Sequence, residues 1–384
     1  GVGVNALLSK RLGEQRLEEA NRTANIAVTI AIVEYLVFLI LGYFTSGWFF
    51  DVQTDIPEIA AYGKSYLSIC MMCSFGMFGQ MCMERPLQAT GRTIWTMCTQ
   101  ILGAVVNIVL DPILIFGLLG APKLGIAGAA IATVIGQICA MLLAIVFNCL
   151  VNKEVHFRLS LMKPQKKIVS EVFIVGIPSI LMQSIGSVMV FLMNRILLGF
   201  SATATAVFGV YFKLQSFVFM PVFGLNNGLI PIVAYNYGAG KKKRIRQARK
   251  YAAIYAVAIM LVGTILAELI PGPMLKLFDA SENMMTIGIP ALRIICIGFV
   301  LAGFSIVCSG VFQGLGKSIY SLYVSVTRQL VILIPVAYLL SLTGNLNLVW
   351  LSFPIAELGS LGITLWGMHR VMKHLDEVCE SSCN

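Results

Sequence analysis

Charge is scarce in this chain. Asp, Glu, Lys and Arg make up 12% of its 384 residues, against 58% hydrophobic residues, about half the charged share of an ordinary soluble domain. So few charged side chains cannot coat a water-exposed surface, which excludes a soluble globular protein and makes lipid the solvent for much of the chain. Alternating runs of strand length are missing too, which excludes a closed β-barrel. There is no framework of cysteines in short polar loops: eight of the ten cysteines lie inside apolar runs, where cysteine behaves as a small hydrophobe. No His/Asp/Glu cluster has metal-ligand spacing and no nucleophile stands beside a base, so an enzyme and a bound cofactor are not expected.

What the chain has in quantity is long apolar runs. Ten are near the length of about 20 residues that crosses a bilayer: 24–46, 57–83, 94–118, 125–149, 168–199, 203–235, 251–270, 285–313, 318–342 and 346–369. Alternate connections carry 21 of the 28 basic residues, among them Arg11, Arg16, Arg92, Lys243 and Arg370, whereas the opposite connections hold Lys123 and Lys276. By the positive-inside rule the basic side, with the C-terminus, is cytoplasmic. The net charge of +10 is thus a matter of topology, and the bilayer rather than nucleic acid is the expected partner.

Shifted against itself by 225 residues, the chain falls into register: Gly13 on Gly238, Gly63 on Gly288, Leu67 on Leu292, Gln88 on Gln313, Gly91 on Gly316 and Ile94 on Ile319. A constant offset across four helices and their loops reads as an internal repeat. The second copy holds six spans, an even number, so the copies run parallel about an axis along the membrane normal. The first copy shows four, and the chain begins at Gly1 without a methionine or a signal peptide, so roughly 58 further residues are expected upstream by the repeat. The pattern predicts an all-α, polytopic membrane protein of two six-helix lobes, the first represented by four full helices. An N-terminal lobe is expected over 1–150, a cytoplasmic linker over 151–167, a C-terminal lobe over 168–370 and a cytoplasmic tail over 371–384.

Asp111 is the leading candidate for ion or substrate binding. It is taken as mid-span, where an ionised carboxylate is costly unless paired, hydrated or bound to a cation. Asn107 lies one turn earlier on the same helix face. Pro112 has no N–H, so the carbonyl of Ile108 loses its helical partner. Carboxylate, amide oxygen and freed carbonyl begin an oxygen cage for Na⁺ or shelter a proton-binding carboxyl; a polar cluster at a helix kink is the plainer alternative. Thr133 is a second candidate, although a hydroxyl bonded back to its own helix accounts for it equally well. Of Glu34, Glu268 and Glu357, Glu34 is best placed to face a cavity, with a hydrogen bond made while protonated as the simpler reading of all three. Glu84 is expected to pair with neighbouring Arg85. The 225 shift places Asn107 and Asp111 on Ile332 and Val336, so the acidic site is not duplicated. Of the intramembrane cations Arg195, Lys213, Arg293 and Arg328, the last either neutralises an acid across a cavity or fixes helix packing.

Three motifs fail on inspection. Gly314-Leu-Gly316-Lys317-Ser318 ends like a phosphate-binding loop, but Val311 stands where its first glycine is required. Cys70 and Cys73 have redox spacing inside an apolar span, where packing explains them. His369, His374, Cys379 and Cys383 are too irregularly spaced for a zinc site, and a disordered tail is expected instead.

Several stretches resemble bacterial multidrug and toxic compound extrusion (MATE) transporters: Met83-Glu-Arg-Pro-Leu-Gln-Ala-Thr-Gly91, Asn107-Ile-Val-Leu-Asp-Pro112, Gly125-Ile-Ala-Gly-Ala-Ala-Ile-Ala-Thr133, Tyr211-Phe-Lys-Leu-Gln-Ser-Phe217, Tyr235-Asn-Tyr-Gly-Ala239 and Arg328-Gln329. The resemblance implies twelve helices in two lobes, a central cavity open to alternate sides, and export of small organic cations in exchange for H⁺ or Na⁺, by a chain expected to be monomeric. It also places Asn107 and Asp111 in the ion-linked site of the first lobe. Gln183 stands in a span where some family branches carry a glutamate, which leaves it a neutral substrate contact. The family's first helix, acidic in several members, is not in this sequence. A flippase for lipid-linked oligosaccharides, from the same superfamily, is the nearest alternative; it calls for a strongly cationic cavity. A membrane-embedded enzyme is a distant third.

Overall fold

In hydrocarbon, backbone N–H and C=O groups find partners only within their own segment, so the long apolar runs become helices. The computed structural model describes residues 1–53 and 56–380, which contain helices and no strand. In chain order these are α1 (Val2–Gly13), α2 (Leu17–Gln53), α3 (Pro57–Met72), α4 (Phe75–Ala89), α5 (Thr93–Phe116), α6 (Ile126–Leu150), α7 (Lys166–Leu198), α8 (Ala202–Gly238) and α9 (Lys242–Leu269). There follow α10 (Pro271–Lys276), α11 (Glu282–Cys296), α12 (Phe299–Gly314), α13 (Ser318–Val326), a π-helical segment (Thr327–Leu333), α14 (Ile334–Ser341), α15 (Leu346–Trp350) and α16 (Ser352–Glu380).

Eight helical stretches are each long and apolar enough to cross a membrane, and the bent pairs α3–α4 and α11–α12 bring the total among the described residues to ten. The two bends, 43° and 48°, fall at matching places in the 225-residue register. The turns that follow them also match. Gly91 and Gly316 take φ of +76° and +72°, and the amides of Arg92 and Lys317 donate back to Leu87 and Phe312 at 2.7 and 2.8 Å. Positive φ at both turns is the reason for glycine at both places.

Several helices outrun their apolar cores. Glu18 and Glu19 sit in the first turn of α2, where acidic groups favour a helix N-terminus. At the other end α16 continues through the expected tail as far as Glu380. Cys383 and the Cys379 side chain lie outside the described residues.

The chain divides into two compact units, essentially Gly3–Glu171 and Val172 onward, with the division inside α7. The stretch expected as a linker, 151–167, instead belongs to the first unit, because polar groups on α2 need partners there. Asn25 Nδ2 donates to the His156 carbonyl at 2.9 Å, the Arg158 amide donates to Asn25 Oδ1 at 2.8 Å, and Thr29 Oγ1 donates to the Met162 carbonyl at 2.7 Å. Within the same unit Arg11 is buried among carboxylates: Glu171 at 2.7 Å, Glu14 at 3.0 Å and Glu19 at 3.1 Å. Burial works against its charge, but the Glu14 hydrogen bond and the fields of Glu171 and Glu19 outweigh that and raise its pKa above the ordinary arginine value. The second unit is built on an aromatic core in which Phe208, Tyr211, Phe312 and Trp350 are buried.

Candidate ion and substrate sites

In the first unit, α5 and α6 approach to backbone contact. A Cβ on Gly136 would lie 2.6 Å from the Gly103 carbonyl oxygen and 3.4 Å from the Asn107 Cβ. That closeness brings Asn107 to Thr133. Asn107 Nδ2 donates to Asp111 Oδ1 and to Thr133 Oγ1, each at 3.3 Å. Thr133 also donates to the carbonyl of Ala129 at 3.0 Å. The back-bond to its own helix and the contact with the acidic pair therefore coexist. Because Asn107 uses its amide nitrogen here, its oxygen stays available beside the carboxylate. Tyr66 of α3 brings its hydroxyl next to Thr133 and into the field of Asp111, a neighbour that no local spacing announced.

Helix α5 ends at Phe116, so Asp111 lies nearer that end than the middle, about 8 Å from the helix terminus at 1.5 Å per residue. A half-buried carboxylate at that depth, with the Asn107 amide against it and the Thr133 hydroxyl one step further on, has the chemistry to take up Na⁺ or a proton. Glu34 does not join this cluster. It is half-buried on α2, near Cys82 of α4.

The second unit encloses a cavity of about 450 Å³. Its polar lining includes Gln183, Gln215, Arg328, Gln329 and Glu357, and its apolar lining includes Tyr211, Phe219 and Phe299. Gln183 and Arg328 thus face one space. Arg328 Nη1 donates to Glu357 Oε1 at 3.4 Å and Ser360 Oγ to Glu357 Oε2 at 3.5 Å, so Glu357 has a cationic partner as well as a hydroxyl one. The Gln329 side chain is buried and its Oε1 has no partner among the described residues.

The other intramembrane cations also find partners. Arg293 lies 3.9 Å from Glu268, Arg195 stands over the Phe191 ring at 5.4 Å, and Lys213 over Phe278 at 5.7 Å. Glu84 does not pair with Arg85. Successive residues on a helix point in different directions, and Glu84 accepts from Gln80, Thr99 and Gln100 at 2.9, 2.7 and 3.0 Å, while Arg85 donates to Gln88 at 2.8 Å.

The MatE family profile matches residues 1–113 and 178–339, more than half of the chain. The chain belongs to this family. It is 26% identical over 359 residues to the multidrug export proteins MepA of Staphylococcus haemolyticus (strain JCSC1435) and Staphylococcus aureus (strain MSSA476), over 93% of this chain and 78% of each relative. An outward-facing multidrug resistance MATE family transporter of the MOP superfamily superposes with a TM-score of 0.91 at 24% identity, covering 98% of this chain and 84% of that one. A MOP superfamily transporter from Pyrococcus furiosus Vc1, described as having a binding pocket of reverse polarity, gives 0.89 at 24% identity with the same coverage. These two likenesses are of fold. As a MATE protein the chain is a multi-pass membrane transporter of a drug-export family and not an enzyme. The MatE match takes in Asn107, Asp111, Gln183 and Arg328 and stops short of Thr133 and Glu357.

Proposed function

We propose that this MATE protein is a secondary active antiporter that exports cationic or amphipathic drugs and toxins in exchange for H⁺ or Na⁺ by alternating access. One observation carries the reading: Asp111, bonded to Asn107 and one step from Thr133, puts a carboxylate among oxygen atoms inside the membrane. Ionised and empty, such a group is costly in hydrocarbon; a proton or Na⁺ relieves the cost, and release of that cation restores an anion that attracts organic cations. The aromatic lining of the second unit's cavity suits flat apolar bodies, and the multidrug export for which the MepA relatives are named supports drugs as the substrate class. Glu357 offsets the charge of Arg328 in that lining, which weighs against a pyrophosphate-linked lipid as cargo. Each cluster is made by one unit's own helices, consistent with a working monomer, and the placement of basic residues supports a cytoplasmic C-terminus.

The test is efflux of a fluorescent organic cation from proteoliposomes with pH and Na⁺ gradients imposed separately. Uphill movement under one gradient and not the other identifies the coupling ion. Movement that ignores both gradients overturns antiport.

A further inference from the structure

Where α12 turns into α13, the second unit carries a cup of about 360 Å³ lined by Lys317, Tyr320, Arg370, Lys373, His374 and Glu377. We infer that this cup binds a phosphate group presented at the membrane surface. Among the described lining residues, Lys317, Arg370 and Lys373 supply three positive charges and Glu377 one carboxylate. Among the described residues, none of the three is joined to a carboxylate in an ion pair. The first unit handles the same turn differently. Arg92, at the position matching Lys317 in the 225-residue register, donates to Asn152 Oδ1 at 3.3 Å and lies 3.8 Å from Glu154.

One of the three cations is also held against an aromatic ring. The Arg370 guanidinium lies 4.8 Å over the Trp366 ring, and Trp366 is 5.8 Å from the Tyr320 ring. Stacking fixes the plane of the guanidinium while leaving its N–H edge to face an anion. Lys317 stands at the N-terminus of α13, which no side chain caps, so the first helical amides add their positive end to the cup. The Ser318 hydroxyl, buried in that first turn, has no partner among the described residues.

The cup opens beside Ile319, Tyr323 and Trp366, all large and exposed, and so beside lipid. A phosphodiester of an acidic phospholipid and a dissolved phosphate share the chemistry that these residues recognise. A nucleotide is not implied, because Val311 removes the glycine that a nucleotide-binding loop needs.

The test is thermal-shift and native mass spectrometry on the purified protein with phosphatidylglycerol, phosphatidylcholine or inorganic phosphate. Two triple variants are compared with the parent: Lys317→Gln, Arg370→Gln, Lys373→Gln in the cup, and Lys243→Gln, Arg244→Gln, Lys250→Gln as a control for diffuse charge. Every one of these positions is exposed, so both variants should fold, which their melting without added ligand checks. Near an anionic surface a cation contributes about fivefold in affinity, so the cup variant should bind phosphatidylglycerol on the order of a hundredfold more weakly while the control stays within a fewfold. Retention of inorganic phosphate but not of phosphatidylglycerol, lost again in the cup variant, supports the site with a soluble ligand. Equal losses in the two variants, or no preference for either phosphate probe over phosphatidylcholine, would overturn it.

Discussion

Gly136 faces the carbonyl oxygen of Gly103 so closely that a Cβ would sit 2.6 Å from it. This backbone contact between α5 and α6 sets the distance from Asn107 to Thr133. Gly136→Ala must push the helices apart, since the obstacle is backbone and not a flexible side chain. A loss of about 1–3 kcal/mol is expected, read as a lower melting temperature, together with weaker efflux. Gly176, with nothing within 4 Å of its Cβ position, is the control: Gly176→Ala should be neutral or raise stability by up to about 1 kcal/mol.

Asp111→Asn keeps the shape of the side chain and removes its charge. An amide is cheaper than a carboxylate to hold in the membrane, so the variant should reach the bilayer in normal amount and fail at gradient-driven export. Wild-type efflux rates in this variant would remove Asp111 from the coupling site.

Arg328 and Glu357 should behave as one unit. Arg328→Ala alone leaves a carboxylate without its cation in a largely apolar cavity, at a cost of about 3 kcal/mol. The double variant Arg328→Ala, Glu357→Ala should melt above that single variant, because no orphaned charge remains. Additive losses in a thermal double-mutant cycle would mean that the two side chains act independently.

Arg11 gathers Glu14, Glu19 and Glu171 around one guanidinium. Arg11→Ala leaves three acids in mutual repulsion, and their partial exposure softens the penalty to about 1–3 kcal/mol. Arg11→Lys should recover only part of it, since a single ammonium cannot reach three carboxylates with the geometry of a guanidinium fork. Melting curves of the two variants, taken side by side, measure the difference.

The sequence alone determined most of what depends on neighbours along the chain, the expected Glu84–Arg85 pair and the disordered tail being the exceptions. The apolar runs dictated helices, because lipid offers backbone groups no other partner, and a helical repeat of four residues placed Asn107 and Asp111 on one face before any packing was known. Gly91 and Gly316 marked equivalent turns in the same way. Only the tertiary structure decided which helices touch. Thr133 reaches Asn107 across a glycine contact, Tyr66 arrives from α3, and Glu357 meets Arg328 from 29 residues away. Glu171 meets Arg11 across 160 residues. Such pairings arise from close approach between whole helices, and residue spacing within a segment carries no record of which other segment will lie against it.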